Sequence, residues 1–341
     1  MKIANLIGCA FLAACGSDSG GIAGPPPDQH EEMVLETIPY QALGGTRVTF
    51  SREDDRQRRG LISLDGDTQI AAITSSVWGT WVAESPTSTK LAYAGWTDQN
   101  NHDRSVDIFV RDWEAPTGVA LGGPGRGRDT PSWNAAGTRV IYGESISAPI
   151  SVTMNRIVSQ SPTAGATDRQ VLWEGRFACE WAWAPRQSVT NELVFSYSPN
   201  LSNDVNNCAT NAHIGRATPG GVAQILYKGT GQLYSPTWSP SGMQIAFFEI
   251  LSFNQTGFAN VALQLMEADG SNVRTIATIK HYGGTSGFDF SMCWGGDGSR
   301  IIFSLFDATN ASHVFAATVA DGNVTQITSA PAVLDLFVSC S

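Results

Sequence analysis

One cadence recurs six times along this chain: a short strand, a tight turn, and a second strand carrying an aromatic. The two clearest copies read TPSWNAAGTRVIYG at 130–143 and SPTWSPSGMQIAFF at 235–248. In four copies a turn glycine stands five residues before the aromatic: Gly45 and Phe50, Gly137 and Tyr142, Gly242 and Phe247, Gly298 and Phe303. Units of this size cannot bury an apolar face alone, so they must stack on one another. Counted by this turn, the units fall at about 34–74, 75–121, 122–173, 174–227, 228–278 and 279–329.

Each unit divides into four short strands, A to D. In the fifth, A ends at Trp238, B covers 244–248, C covers 262–267 and D covers 273–277. Aspartate followed by glycine between apolar stretches marks a hairpin. That pair closes the C to D turn at Asp65 with Gly66, Asp269 with Gly270 and Asp321 with Gly322, and Pro219 with Gly220 replaces it in the fourth unit. Four-stranded units at this period predict an all-β fold, a six-bladed β-propeller of antiparallel blades, with 34–341 as its single domain. Trp133, Trp183, Trp238 and Trp294 align at the end of strand A, where a repeated aromatic packs neighbouring blades together. Unit two carries Glu84 at that place. On this alignment the fourth unit has three additional residues between Trp183 and Phe195, which predicts a looser turn.

The same runs, with MCWGGDGSRIIFS at 292–304, resemble the WD-like repeat of the TolB-type propellers. In that repeat a tryptophan, serine, proline, aspartate and glycine turn precedes an apolar strand. The resemblance spans about residues 34–341 and implies a propeller without the α/β domain that precedes TolB's own. It implies no particular activity, because repeat residues hold blades together in propellers of many kinds.

Antiparallel strands put the B to C and D to A connections at one end of the units, and the A to B and C to D turns at the other. From the strand-B aromatic to the glycine of the C to D turn, the spacing varies between 16 and 25 residues. Variation confined to one end marks that end as the binding face. The loops between units there, 122–129, 174–179, 228–234 and 279–289, carry Arg126, Arg128, Arg176, Lys228 and Lys280 against Asp129, Glu174 and Asp289. These five cations form a candidate rim for a carboxylate, a phosphate or a uronic acid. Among the tryptophans outside the repeat, Trp78, Trp81, Trp96 and Trp113, the candidates for stacking on a sugar are Trp78 and Trp96, which sit in or beside long loops.

Enzymatic chemistry finds less support. His102, His213, His281 and His313 lie in or near the long loops, but three of them belong to different blades. They cannot share one ion at the ~2 Å a metal site requires. The run DQNNHD at 98–103 lacks the glycine and closing glutamate of a calcium loop. No GxSxG elbow is present. No metal, cofactor or catalytic residue is expected.

The N-terminus supplies an address. Lys2 precedes a twelve-residue, largely apolar run from Ile3 to Ala14, which reads as a signal peptide over 1–14. The sequence Leu12, Ala13, Ala14, Cys15 resembles a bacterial lipobox. Cys15 is thus expected to carry the lipid that holds the protein on a membrane, with 15–33 as a flexible tether. By the same resemblance, Gly16 and Ser17 point to the outer membrane, at its periplasmic face or at the cell surface. The net charge of −10 becomes −11 once the leader takes Lys2 with it. Together with the mixed signs of REDDRQRR at 52–59, this excludes a nucleic-acid surface. Cys179, Cys208, Cys293 and Cys340 remain in an oxidising compartment, an even set that predicts two disulfides. Joining Cys179 to Cys208 would close a loop within the fourth blade, and joining Cys293 to Cys340 would pin the C-terminus where the ring closes; other pairings stay open. The expected function is an exported, lipid-anchored, monomeric binding module that engages a protein or a cell-envelope polymer through its long-loop face. The alternative is a uronate-lyase-like enzyme working at the channel mouth.

Overall fold

The apolar alternation of the repeat becomes β-strand throughout. The computed structural model describes residues 36–53, 59–73, 81–96, 106–113, 115, 118–122, 127–145, 155–163, 165–177, 179–200, 202, 212–253, 258–282, 291–309, 311–331 and 333–341. Within them a 3-10 turn, Tyr40–Leu43, precedes β1 Val48–Glu53, β2 Arg59–Asp65 and β3 Thr68–Ile73. Then follow β4 Val82–Glu84, β5 Lys90–Trp96, β6 Val106–Asp112 and β7 Val119–Ala120. The third group is β8 Arg128–Trp133, β9 Val140–Glu144, β10 Arg156–Gln160 and β11 Gln170–Glu174; the fourth is β12 Glu180–Gln187, β13 Leu193–Pro199, β14 His213–Ala217 and β15 Gln224–Tyr227. The fifth is β16 Gln232–Trp238, β17 Gln244–Phe253, β18 Phe258–Glu267 and β19 Arg274–Tyr282. The last strands are β20 Ser291–Trp294, β21 Arg300–Phe306, β22 Ser312–Thr318, β23 Val324–Gln326 and β24 Leu334–Cys340.

The second to fifth groups are antiparallel four-stranded sheets in chain order. The remaining eight strands share hydrogen bonds as one sheet. Within it β24, β1, β2 and β3 pair antiparallel, as do β20 to β23, and a single parallel pair, Ser312 with Leu334, links the two sets. The first unit therefore takes its strand A from the C-terminus and not from the residues before β1. An unpaired inner edge on β1 would be costly, and the chain end covers it. The first strands touch in a cycle: β4 meets β8, then β12, β16, β20 and β24 follow, and β24 meets β4.

Three details differ from the sequence alignment. Left-handed bulge residues, Thr130, Ala184, Ser235 and Phe337, interrupt the first strands of four units. Beyond the bulge, Trp133, Trp238, Cys340, Gln187 and Glu84 hold the same register, so Trp183 lies one bulge too early and Gln187 takes the fourth tryptophan's place. Gln187 stands eight residues before Phe195, whereas Trp133, Trp238 and Trp294 stand nine before their aromatics; the fourth turn is shorter, not looser. In the fifth unit β17, β18 and β19 overrun their expected ends, because pairing continues from Phe253 with Ala259 to His281.

The core lies between sheets. Trp133 donates its indole N–H to the Ala83 carbonyl of the preceding sheet at 2.9 Å, and Trp294 donates to Thr237 at 3.1 Å. Each bond repeats the same step from one first strand to the next.

Candidate functional site

The two ends of the sheets differ in chemistry. At the turn end, a left-handed residue donates its N–H to the carbonyl at the start of each turn, as Gly137 does to Asn134, Gly242 to Ser239 and Gly298 to Gly295. Hydroxyls and carboxylates such as Ser239 and Asp297 then cap neighbouring N–H groups. At the opposite end the strands finish in buried charges.

In the third sheet Arg128 opens β8, with 7% of its side chain exposed. Its Nη1 donates to Asp107 Oδ1 at 2.8 Å and its Nε to Glu144 Oε1 at 3.0 Å. Glu144, fully buried, also meets Arg169 and lies 3.8 Å from Arg156. A Cβ on Gly122 would sit 1.7 Å from Arg128 Nη1, so only glycine leaves the guanidinium its place. Burial raises the Asp107 carboxyl above its usual range against the pull of Arg128, and its Oδ2 is buried without a hydrogen-bond partner. Arg128 is thus a structural cation and not part of an open rim; nothing in local sequence pattern links it to Asp107, 21 residues earlier on another sheet.

At the seam the same register position carries the opposite sign. Arg52 stands two residues after Phe50, as Glu144 stands after Tyr142, and it faces Asp335 where Glu144 faces Arg128. Arg52 Nε and Nη2 donate to Asp335 at 2.6 and 2.7 Å, and Nη2 also donates to Glu36 at 2.6 Å. Burial opposes the charge on Arg52, but Asp335 and Glu36 overcome it and raise its pKa; at Asp335 burial outweighs Arg52 and raises the carboxyl. Glu36 in turn accepts from the Ser329 N–H and hydroxyl, while Ile38 and Leu43 bury against the seam. A disulfide joins Cys293 to Cys340, with Cα atoms 5.6 Å apart, in the pairing expected across the closure. Cys179 is also disulfide-bonded.

The other candidate residues scatter. Arg176 is exposed, 61% open and 3.8 Å from Glu180, which accepts from the Tyr197 hydroxyl. Lys228 is exposed, and its field, after burial, lowers the pKa of His213. Lys280 is exposed, but it lies on the outermost strand β19 and not in a loop beside the channel. Trp96 ends β5. Cys15, Cys208, Trp78, Arg126, His102 and the run 98–103 lie outside the described residues.

Rings fill the middle. Trp81, just before β4, meets Trp183 of β12 edge-on at 5.1 Å and Phe337 of β24 at 4.2 Å, and Trp183 meets Tyr234 of β16 at 6.3 Å. The second and fourth sheets are not neighbours, so the contact between Trp81 and Trp183 crosses the space inside the first strands. Trp183 stands just before the bulge of its strand, at the place of Asp129, Tyr234 and Leu336 in the other first strands. Sequence reading also missed Arg186, an inner-strand cation bonded to the Pro185 carbonyl at 3.0 Å and lowered by burial to about 10. It equally missed the overrun of β17, which exposes 47% of Leu251 and 59% of Phe253.

The histidines stay apart in role. His281 is buried beneath Phe306, whose N–H it accepts at 3.4 Å, and burial lowers it to about 4. His313 Nε2 lies 3.4 Å from Asp307. Among the described residues no three His, Cys, Asp or Glu side chains are grouped to hold a metal ion.

No family model and no curated protein matches the chain in sequence. Solved structures match in shape. TolB from Acinetobacter baumannii superposes with a TM-score of 0.63 at 14% identity, covering 86% of this chain and 66% of TolB. The putative TolB from Agrobacterium tumefaciens gives 0.55 at 14% identity, covering 86% of this chain and 90% of its own. An oligogalacturonate lyase in complex with manganese gives 0.52 at 12% identity, covering 84% of this chain and 74% of the lyase. Likeness at these identities carries the fold, and the fold is a TolB-like β-propeller.

Proposed function

We propose that the protein is an exported, lipid-anchored propeller of six blades, residues 34–341, that works as a monomeric binding module. Its ligand is a protein or a cell-envelope polymer, engaged at the long-loop end. Support for six blades comes from the cycle of first strands, and support for a single domain from a chain end that pairs with β1. The observation that carries the binding reading is the difference between the two ends. One end is finished by uniform hydrogen-bonded turns; the other presents Arg176, Lys228 and the overrun of β17. The aromatic cluster between Trp81 and Trp183 favours docking on the face over threading through the channel.

A photo-crosslinker in place of Arg176, compared with one in place of Met243, which is 66% exposed at the turn end, tests this in the native envelope. A partner captured from position 176 and not from 243 is expected; equal capture from both would sink the assignment of the face. Replacing Arg176 and Lys228 by glutamine should weaken capture of an anionic partner several-fold. Turnover of uronate polymers by the purified protein would instead establish the rival lyase reading, which has only the shared fold behind it.

A further inference from the structure

Among the described residues, Arg186 is a cation of the channel wall that no carboxylate meets. It stands one residue before the end of β12, half-buried, and its Nη1 donates to the Pro185 carbonyl at 3.0 Å. The same carbonyl accepts from the Ser132 hydroxyl of β8 at 2.7 Å, so the guanidinium lies where the first strands of the third and fourth sheets meet. Its Nε and Nη2 have no protein acceptor, and neither is sealed from solvent.

The acids of the first strands are engaged elsewhere. Glu84 meets Arg47, Asp129 accepts from the Thr130 N–H, Glu180 accepts from Tyr197, and Asp335 holds Arg52. Bulk does not surround the guanidinium either. At the register of Arg186 the other first strands carry Ala83, Ser132, Thr237, Cys293 and Ser339, all small. All of these strands and the A to B turns beyond them fall among the described residues. Burial without a counter-charge lowers the pKa of Arg186 to about 10, so it stays a cation at neutral pH. A half-buried charge left without a partner costs stability, which gives a ligand of opposite sign something to relieve.

The unbonded edge has a defined shape. Arg52 uses Nε and Nη2 to grip both oxygens of Asp335, at 2.6 and 2.7 Å, and Arg156 uses the same pair on Glu174, at 2.9 Å each. In Arg186 the bond to Pro185 occupies Nη1 and leaves that pair unbonded.

We infer that Arg186 is an anion site in the channel wall, where a carboxylate supplied by a ligand docks on Nε and Nη2. A planar carboxylate matches this fork with two parallel hydrogen bonds. Trp183 precedes Arg186 on β12 and packs against Trp81, so the aromatic cluster stands on the long-loop side and the carboxylate enters from the turn end. The site is therefore separate from the long-loop face. The fork takes the carboxylate of a free small acid and that of a chain end alike, and the test separates the two.

The test uses the purified full-length protein with isotope-labelled arginine, titrated at constant ionic strength with acetate, with a short peptide ending in a free carboxylate, with the amide of that peptide, and with phosphate. One guanidinium Nε–H resonance, identified by its loss in Arg186→Met, should shift saturably with acetate or the free peptide and not with the amide. Acetate binding within about tenfold of the peptide marks a site for a free acid; a peptide more than about tenfold tighter marks a site for a chain end. The thermal midpoint should rise with bound carboxylate in wild type and stay flat in Arg186→Met. Because that variant removes an unpaired charge, its own midpoint should match or exceed that of wild type. No shift with either carboxylate, phosphate binding at least as tight, or a rise in midpoint that survives in Arg186→Met would overturn the inference.

Discussion

Two residues beyond the strand-B aromatic, the third sheet buries Glu144 against Arg128, and the seam buries Arg52 against Asp335. The register is the same and the charges are exchanged. Each sign follows from its company: Arg169 and Arg156 surround Glu144, whereas Glu36 faces Arg52. The slot demands a pair, because a single charge left there loses its water without compensation, but it does not dictate which strand holds the cation. What differs is topology. The pair in the third sheet closes a hairpin between residues 16 apart, and the seam pair joins residues 283 apart. Breaking the first loosens a turn; breaking the second frees the strand that completes the propeller.

Asp335→Ala should therefore be the most damaging single change, costing about 3–5 kcal/mol because Arg52 stays buried after losing both of its bonds to that carboxylate. Glu144→Ala should cost less, about 2–3 kcal/mol, since Arg128 keeps Asp107. Urea midpoints at neutral pH measure both. Equal losses would mean that ring closure adds nothing to the pair. Cys340→Ser should cost about 4 kcal/mol for a bond that closes 47 residues of chain, and hydrogen exchange should rise in β24 before it rises in β9. Simultaneous exchange in the two strands would erase the distinction between seam and interior.

These pairs also show what the sequence could and could not tell. The glycine-to-aromatic spacing is set by a turn whose hydrogen bonds are local, so strands, blades and turn glycines were legible in order. Register was less so. Trp183 stands just before its bulge, at the place of Asp129, Tyr234 and Leu336, and not at the inter-blade position, which Gln187 holds; a tryptophan four residues early reads in sequence like one in place. Arg128 looked like an open rim residue because its partner Asp107 stands on another sheet, and sign counting within a loop cannot see it. The source of the first unit's inner strand was hidden for the same reason: pairing over nearly the whole chain leaves no trace in local pattern. The overrun of β17 was in plain view as LSF, yet an apolar run past a strand end reads equally well as loop.

Acid should distinguish the two regions again, with a smaller effect. His281, between the fifth sheet and β21, is held near 4 by burial, against the ordinary imidazole value of 6.5. Over that interval the folded chain binds fewer protons than the unfolded one. The stability it contributes is thus present above about pH 6.5 and drains as pH falls toward 4, by roughly 2–3 kcal/mol. His281→Gln should flatten the urea midpoint across that window while leaving the rest of the acid curve in place. If exchange during acidification appears first in β9, far from His281, this assignment of the weak side is wrong.

The smallest test lies in the turns. Ser88 and Asn191 adopt the left-handed conformation that Gly137 and Gly242 supply elsewhere, with φ of 55° and 66°. Asparagine tolerates this conformation better than serine, and glycine better than both. Asn191→Gly should shift stability by only a few tenths of a kcal/mol, because relieved strain is offset by a freer unfolded chain. Ser88→Gly relieves more strain, worth up to about 1 kcal/mol, yet it removes a hydroxyl that donates to Ser341 Oγ at 2.8 Å, beside the closing strand. If the seam depends on such contacts, Ser88→Gly should end near zero or below, and the same change in a chain truncated before Ser341 should be stabilising. A gain of equal size in both backgrounds would show that the last residue adds nothing to closure, leaving the ion pair and the disulfide to hold β24.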